Sequence, residues 1–134
     1  MALAFSCRAG RDAAAMGPLL AGRWYPAHAA ELASAVDGMM APGKAERIDG
    51  AAVIVVPHAG YMYSGKVAGS GYASVRGMNP GVVVVLAPSH RARFGGCAVL
   101  TLDRYDTPLG GVKLDRKSAE KLAAHPLFAA SSEA

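Results

Sequence analysis

Ala51-Ala52-Val53-Ile54-Val55-Val56-Pro57-His58-Ala59-Gly60-Tyr61-Met62-Tyr63-Ser64-Gly65 is the stretch on which the fold turns. Its first six residues are apolar, largely β-branched and bounded by Gly50 and Pro57, the pattern of a buried strand. After Gly65, residues 66–75 form a small-residue segment of helical length. Asn79-Pro80-Gly81 interrupts it, and a second apolar run follows, Val82-Val83-Val84-Val85-Leu86-Ala87, ending in Pro88-Ser89-His90. Two strands joined by a helical crossover predict a βαβ unit with parallel, adjacent strands. The fold class expected is α/β, with a largely parallel or mixed central sheet flanked by helices.

Each of these runs ends in a proline with a histidine close behind, His58 and His90. Ligands of open α/β sheets bind outside the carboxyl ends of the strands. Neighbouring strands lie ~4.8 Å apart. Two imidazoles at equivalent positions can therefore converge on one metal ion, each nitrogen roughly 2.1 Å from it. The competing reading is that each histidine caps its strand and bonds a loop carbonyl. Two at matching positions tip the balance to a site.

The segment 60–66 has the spacing G-x-x-x-x-G-K of a phosphate-binding loop. Val67 stands where a Ser or Thr would hold Mg²⁺, and Tyr61, Met62 and Tyr63 are bulky for a loop that must wrap phosphates. A nucleotide site is therefore not expected. The two phenols beside His58 are candidate hydrogen-bond donors or general acids. Simple packing of one of them is the alternative.

Working outward, Ala21-Gly22-Arg23-Trp24-Tyr25-Pro26 holds two aromatics that need a packing partner. Residues 27–40 read as a helix with Ala30, Leu32, Ala33, Val36, Met39 and Met40 on its apolar face and His28 exposed in its first turn. Residues 97–102 read as a strand, 103–111 as a turn-rich connection and 112–114 as a short strand. Asp115 is the expected N-cap of a helix from Arg116 to about Ala124, stopped by His125-Pro126. Leu127 and Phe128 read as core, with no further element in 129–134. Residues 1–20 are expected to be a disordered or mis-assigned leader, and 21–134 one domain without repeats.

Composition narrows the classes. The chain has 134 residues, 52% of them apolar and 18% charged, with a formal net charge of +4. No apolar run approaches the ~18–20 residues that span a bilayer. Basic residues are scattered, with Arg91 and Arg93 the one close pair near the site, so neither nucleic acid nor a membrane is expected as a partner. Two cysteines, Cys7 and Cys97, make no disulfide framework and point to a reduced, cytoplasmic compartment.

Four pieces occur in order: Ala21 to Pro26, Val56 to Gly65, Leu86-Ala87-Pro88-Ser89-His90, and Thr107-Pro108-Leu109-Gly110 with Asp115. Together they resemble the Memo family, known in prokaryotes as AmmeMemoRadiSam system protein B. The resemblance runs from about Ala21 to Phe128. It implies an α/β fold similar to class III extradiol dioxygenases, and iron or copper as metal, with His58 and His90 on two ligand positions. Trp24 and Tyr61 match residues near that pocket. The family's third ligand, a cysteine, belongs to a C-terminal half that this sequence does not contain. The resemblance therefore implies an incomplete, N-terminal half of a Memo-like domain. Leu20 also stands where the family often has a histidine.

Two functions follow from the resemblance. One is a non-haem metal domain of redox or dioxygenase-like type, with Tyr61 or Tyr63 as proton donor and Trp24, Arg91 and Arg93 toward the substrate. The other is a signalling module that binds a peptide or phosphotyrosine at the same pocket, Arg91 and Arg93 meeting the phosphate. A radical-SAM protein is the implied prokaryotic partner. Half a sheet also implies self-association through open strand edges.

Overall fold

A computed structural model describes residues 15–41, 45–90 and 93–131. The described chain is α/β, with three helices and five short strands in two small sheets. It groups into two compact units interleaved along the sequence. One draws on residues 15–17, 89–106 and 111–131, the other on 18–88 with 107–110. One domain was the expectation from sequence.

In the first unit, β1 (Ala15–Met16) runs parallel to β3 (Arg104–Thr107). β3 also neighbours β4 (Gly110–Lys113). Only Pro108-Leu109 separates β3 from β4, too short a link for anything but a hairpin. The Thr107 hydroxyl secures this turn, donating to the Gly110 carbonyl at 2.8 Å and accepting from the Leu109 N–H at 3.1 Å. β1 falls within the stretch expected to be a leader, and β3 replaces part of the expected irregular connection.

β2 (Cys97–Leu100) pairs in parallel with β5 (Phe128–Ser131), Cys97 opposite Phe128. No element was expected at β5. Alanine and serine are weak strand formers, and here pairing to β2 supplies what propensity does not. The approach is tight at Gly96, whose φ is 82° and where a side chain would run into the Leu127 carbonyl. Only glycine satisfies both conditions. Before β5 comes α3 (Arg116–Ala123). Its Asp115 cap, read from sequence, accepts the Ser118 N–H at 3.1 Å and the Ser118 hydroxyl at 2.6 Å. Among the described residues of this unit Leu102 is the buried apolar one; Leu127, expected in the core, is 62% exposed.

In the second unit, α1 (Ala29–Met39) packs against α2 (Tyr61–Ser74). Leu32 is the buried anchor of α1, and its expected face is otherwise half-buried except for Ala30, which is exposed. The contact is possible because α2 presents Gly65 and Gly69, one turn apart on the same face. A side-chain carbon on Gly69 would lie 2.7 Å from the Met39 carbonyl oxygen; on Gly65 it would meet the Met39 sulfur. The Ile48 N–H donates to the Ser74 carbonyl at 2.8 Å and ties the following loop to the end of α2.

The structure corrects the expected βαβ unit. Neither 51–56 nor 82–87 carries strand pairing, so the described residues show no parallel pair there. Val53 and Val55 are 79% and 93% exposed, and Val82 to Leu86 are 57–85% exposed. A strand needs an edge to pair with as well as strand-forming residues, and these runs have only the second. The crossover helix also starts earlier than expected, at Tyr61 rather than after Gly65.

Candidate functional site

The site is built where the chain enters α2. Pro57-His58-Ala59 leads to Gly60, the N-cap residue, and Tyr61 is the first helical residue. The Tyr63 and Ser64 N–H groups both donate to the Gly60 carbonyl, at 2.9 and 3.2 Å. The Ser64 hydroxyl reaches back to the Ala59 carbonyl at 3.2 Å. These bonds fix the loop that carries His58 to the rigid end of a helix. They also dispose of the phosphate-loop spacing. Residues 61–66 are helical and cannot wrap a phosphate.

The aromatic segment 21–26 comes to the same place. Pro18 to Tyr25 forms a compact turn, the Trp24 N–H donating to the Leu20 carbonyl at 3.0 Å and the Gly22 N–H to the Tyr25 carbonyl at 2.8 Å. This turn aims the Trp24 carbonyl at α2, where it accepts the Tyr61 N–H at 2.9 Å. That N–H is one of the four at a helix start that lack a partner inside the helix. A side-chain carbon at Gly60 would lie 3.4 Å from the Trp24 oxygen, in ordinary contact, so the two segments touch closely here without requiring glycine. Above this bond the Tyr25 and Tyr61 rings sit with centroids 5.9 Å apart, tilted by 41°. That is within the range of favourable aromatic pairs. Tyr25 was not singled out from the sequence beyond its need for packing, and the ring contact is what brings it into the site.

Tyr61 and Tyr63 were both candidate proton donors. Two residues apart on a helix, they point roughly 200° away from each other. Tyr61 turns to the aromatic segment and is half-buried, whereas Tyr63 is 81% exposed. Burial pushes the Tyr61 phenol above its ordinary value, and like-charge interaction with Tyr72 adds to the shift. The phenol therefore keeps its proton throughout the neutral range. His58 and Trp24 are exposed on the same unit. His90 belongs to the other unit and is exposed, as is Arg93; Arg91 lies outside the described residues. The structure thus unites Trp24 and Tyr61 and adds Tyr25, while His58 leads into Tyr61 along the chain.

Among the described residues no three or more His, Cys, Asp or Glu side chains cluster as metal ligands would. No helix among them is long and apolar enough to cross a membrane. Cys97 is a free, exposed thiol, and Cys7 lies outside the described residues.

The chain is α/β, with an aromatic turn bonded to the start of a glycine-rich helix just after the histidine loop, and sequence comparison specifies its family. The family model described as "Memo-like protein" matches residues 17–134, so the chain belongs to the Memo family. It is 36% identical over 97 residues to Protein MEMO1 of Xenopus tropicalis, covering 72% of this chain and 32% of that protein. A MEMO1 family protein of Aquifex aeolicus strain VF5 is 36% identical over 109 residues, 81% of this chain and 40% of the relative. One from Nitrosopumilus maritimus strain SCM1 is 32% identical over 111 residues, 79% of this chain and 40% of the relative. The chain spans about a third to two-fifths of the length of these relatives.

Proposed function

We propose that this chain supplies part of a Memo-type metal site, with His58 and His90 as imidazole donors for iron or copper. The observation that carries the reading is the Tyr61 N–H bond to the Trp24 carbonyl. It joins the aromatic segment and the histidine loop, two separate stretches of sequence, into one constellation. Neutral imidazole suits both metals in donor type. The donor set is short in number, because a stable redox site of this kind takes a third protein ligand. When bound, such a metal supplies redox or dioxygenase-like oxygen chemistry.

The roles assigned to the protein groups rest on their chemistry. Tyr61 holds a proton at its phenol oxygen and can offer it to a bound anion. Trp24, exposed, and Tyr25, tilted against Tyr61, offer aromatic surface on which a substrate ring or peptide side chain can rest. Arg91 and Arg93 favour an anionic ligand. In a prokaryotic setting the functional partner would be a radical-SAM protein.

Calorimetric titration of the purified chain with Fe²⁺ or Cu²⁺ tests this reading. Binding is expected to be weak, and His58→Ala and His90→Ala should each remove most of it. His28→Ala and His125→Ala should change little. If His28→Ala costs as much as His58→Ala, the metal reading fails. A phosphotyrosine peptide that binds in the presence of chelator, and is lost with Arg93→Ala, would favour the signalling function instead.

A further inference from the structure

Leu127 is the joint between α3 and β5, and both of its backbone groups are bonded. Its carbonyl accepts the Cys97 N–H at 2.7 Å, beside the Cys97–Phe128 pair that opens the β2–β5 ladder. Its N–H donates to Nδ1 of His125 at 3.3 Å. The His125 backbone completes the turn, its N–H donating to the Leu122 carbonyl and its carbonyl accepting the Phe128 N–H, each at 2.9 Å. The imidazole meets the Phe128 ring edge-on, with centroids 6.0 Å apart and planes at 75°. The end of α3, one imidazole and the first residue of β5 thus form a single cluster. The metal site proposed above makes no use of it.

β5 leans on this cluster because its own residues form strands weakly. The Leu127 carbonyl passes so close to Gly96 that a side chain there would run into it, so the first bond to β2 depends on where this peptide is held. Nδ1 accepts a hydrogen bond only in the neutral imidazole with its proton on Nε2. A second proton makes both ring nitrogens donors, and Nδ1–H then opposes the Leu127 N–H. Histidine changes charge between roughly pH 5 and 8. The charges around it do not hold the bond in place. Lys121, one turn back on α3, opposes the imidazolium, while the helix dipole favours it. The α3 acids are engaged elsewhere, Asp115 with Ser118 and Glu120 with Arg116. Cys97 is the titratable side chain that β2 brings, and β5 has none. We propose that His125 is a pH-sensitive latch on β5. Neutral, it holds the Leu127 N–H and seats the strand on β2; protonated, it releases that N–H and loosens the pairing.

The test is amide hydrogen exchange of the full chain, corrected for the intrinsic pH dependence of exchange, with chelator present so that no metal competes for imidazole. Between about pH 8 and about pH 5 protection at Leu127 and Cys97 should fall by about threefold, the size of one modest hydrogen bond, while protection in α2 is kept. The midpoint of the loss should coincide with the titration of the His125 ring nitrogens followed by NMR. His125→Asn supplies a side-chain oxygen acceptor that does not titrate, and should keep the protection at both pH values. His125→Ala should lack it at both, with α2 protected as in the parent. Equal protection of the parent at the two pH values overturns the proposal. So does a midpoint that follows another histidine, a pH dependence that persists in His125→Asn, or a loss that spreads equally to α2.

Discussion

Helices α2 and α3 are held by different balances of local and tertiary support. α3 has eight residues, none of them buried; its cap and its side-chain pair are local, while Arg116 also reaches Asp103 at 3.3 Å and the helix packs on β2 and β5. Asp115 caps it, Arg116 pairs with Glu120 at 2.8 Å one turn on, and Lys121 lies in the last turn where the helix dipole favours a cation. α2 has fourteen residues, no side-chain cap and no acid in its first turn. It also carries Gly65, Gly69 and Gly71, which cost roughly 3 kcal/mol of helix propensity relative to alanine. What compensates is tertiary: α1 packed at the glycines, the Trp24 carbonyl on the first turn and the Ile48 N–H on the last residue. The site sits on the helix that depends on its surroundings.

Substitutions that exchange the two kinds of support would break or sharpen this contrast. The largest effect is expected for Gly69→Val. The added atoms would collide with the Met39 backbone, which has no rotamer to yield, and overpacking of this kind costs about 1–3 kcal/mol. The urea midpoint should fall accordingly. Loss of stability in α2 should also loosen the loop bearing His58, seen as faster amide exchange at Tyr61.

Asp115→Ala should act on α3 alone, lowering amide protection at Ser118 while leaving α2 unaffected. The Asp115 carboxyl is held below its ordinary value, first by the Ser118 hydroxyl and then by the Ser118 N–H. A depressed carboxylate contributes above its unfolded value and loses that contribution as pH falls through the folded one. The difference between parent and variant should therefore be present at neutral pH and vanish in strong acid. Persistence of the difference at low pH would show that the cap is not what holds α3.

Gly65→Ala should cost less than Gly69→Val, under about 1 kcal/mol, because the atom in its way is the mobile sulfur of Met39 and alanine restores helix propensity. Equal losses at the two positions would mean that the helix contact is not graded by backbone approach. The smallest effect is expected for Tyr61→Phe. The phenol is raised above its ordinary 10.0, chiefly because burial disfavours the ionised form, so the neutral phenol carries no penalty below that value and the parent loses stability as pH rises from it through the folded value. Parent and variant should match at neutral pH and diverge only in alkali, the parent losing stability. Spectrophotometric titration of the tyrosines would check the direction.

The family motifs divide along the same line. Thr107 and Asp115 turn out to close a hairpin and cap a helix, roles that need only neighbouring residues. Asp115 was legible as a cap because a cap is a local device. Trp24 and Tyr61 meet across 36 positions of sequence, and no spacing rule announces such a contact. Tyr25 gave no stronger signal than its aromatic ring. The leading failure is the βαβ reading of 51–87. Both valine runs had the composition of buried strands, and composition speaks only of what a residue prefers. It was silent on whether a partner edge stood beside them.

The sequence by itself determined the helices, the α3 cap, the α/β class and the Memo membership, because these rest on periodicity, local hydrogen bonding and ordered motifs. The tertiary structure alone decided that the phosphate-loop spacing is helical, that Ala15–Met16 and Phe128–Ser131 become strands, and that the valine runs stay open. Strand pairing is made between residues far apart in sequence, so a strand exists only where the fold brings it an edge.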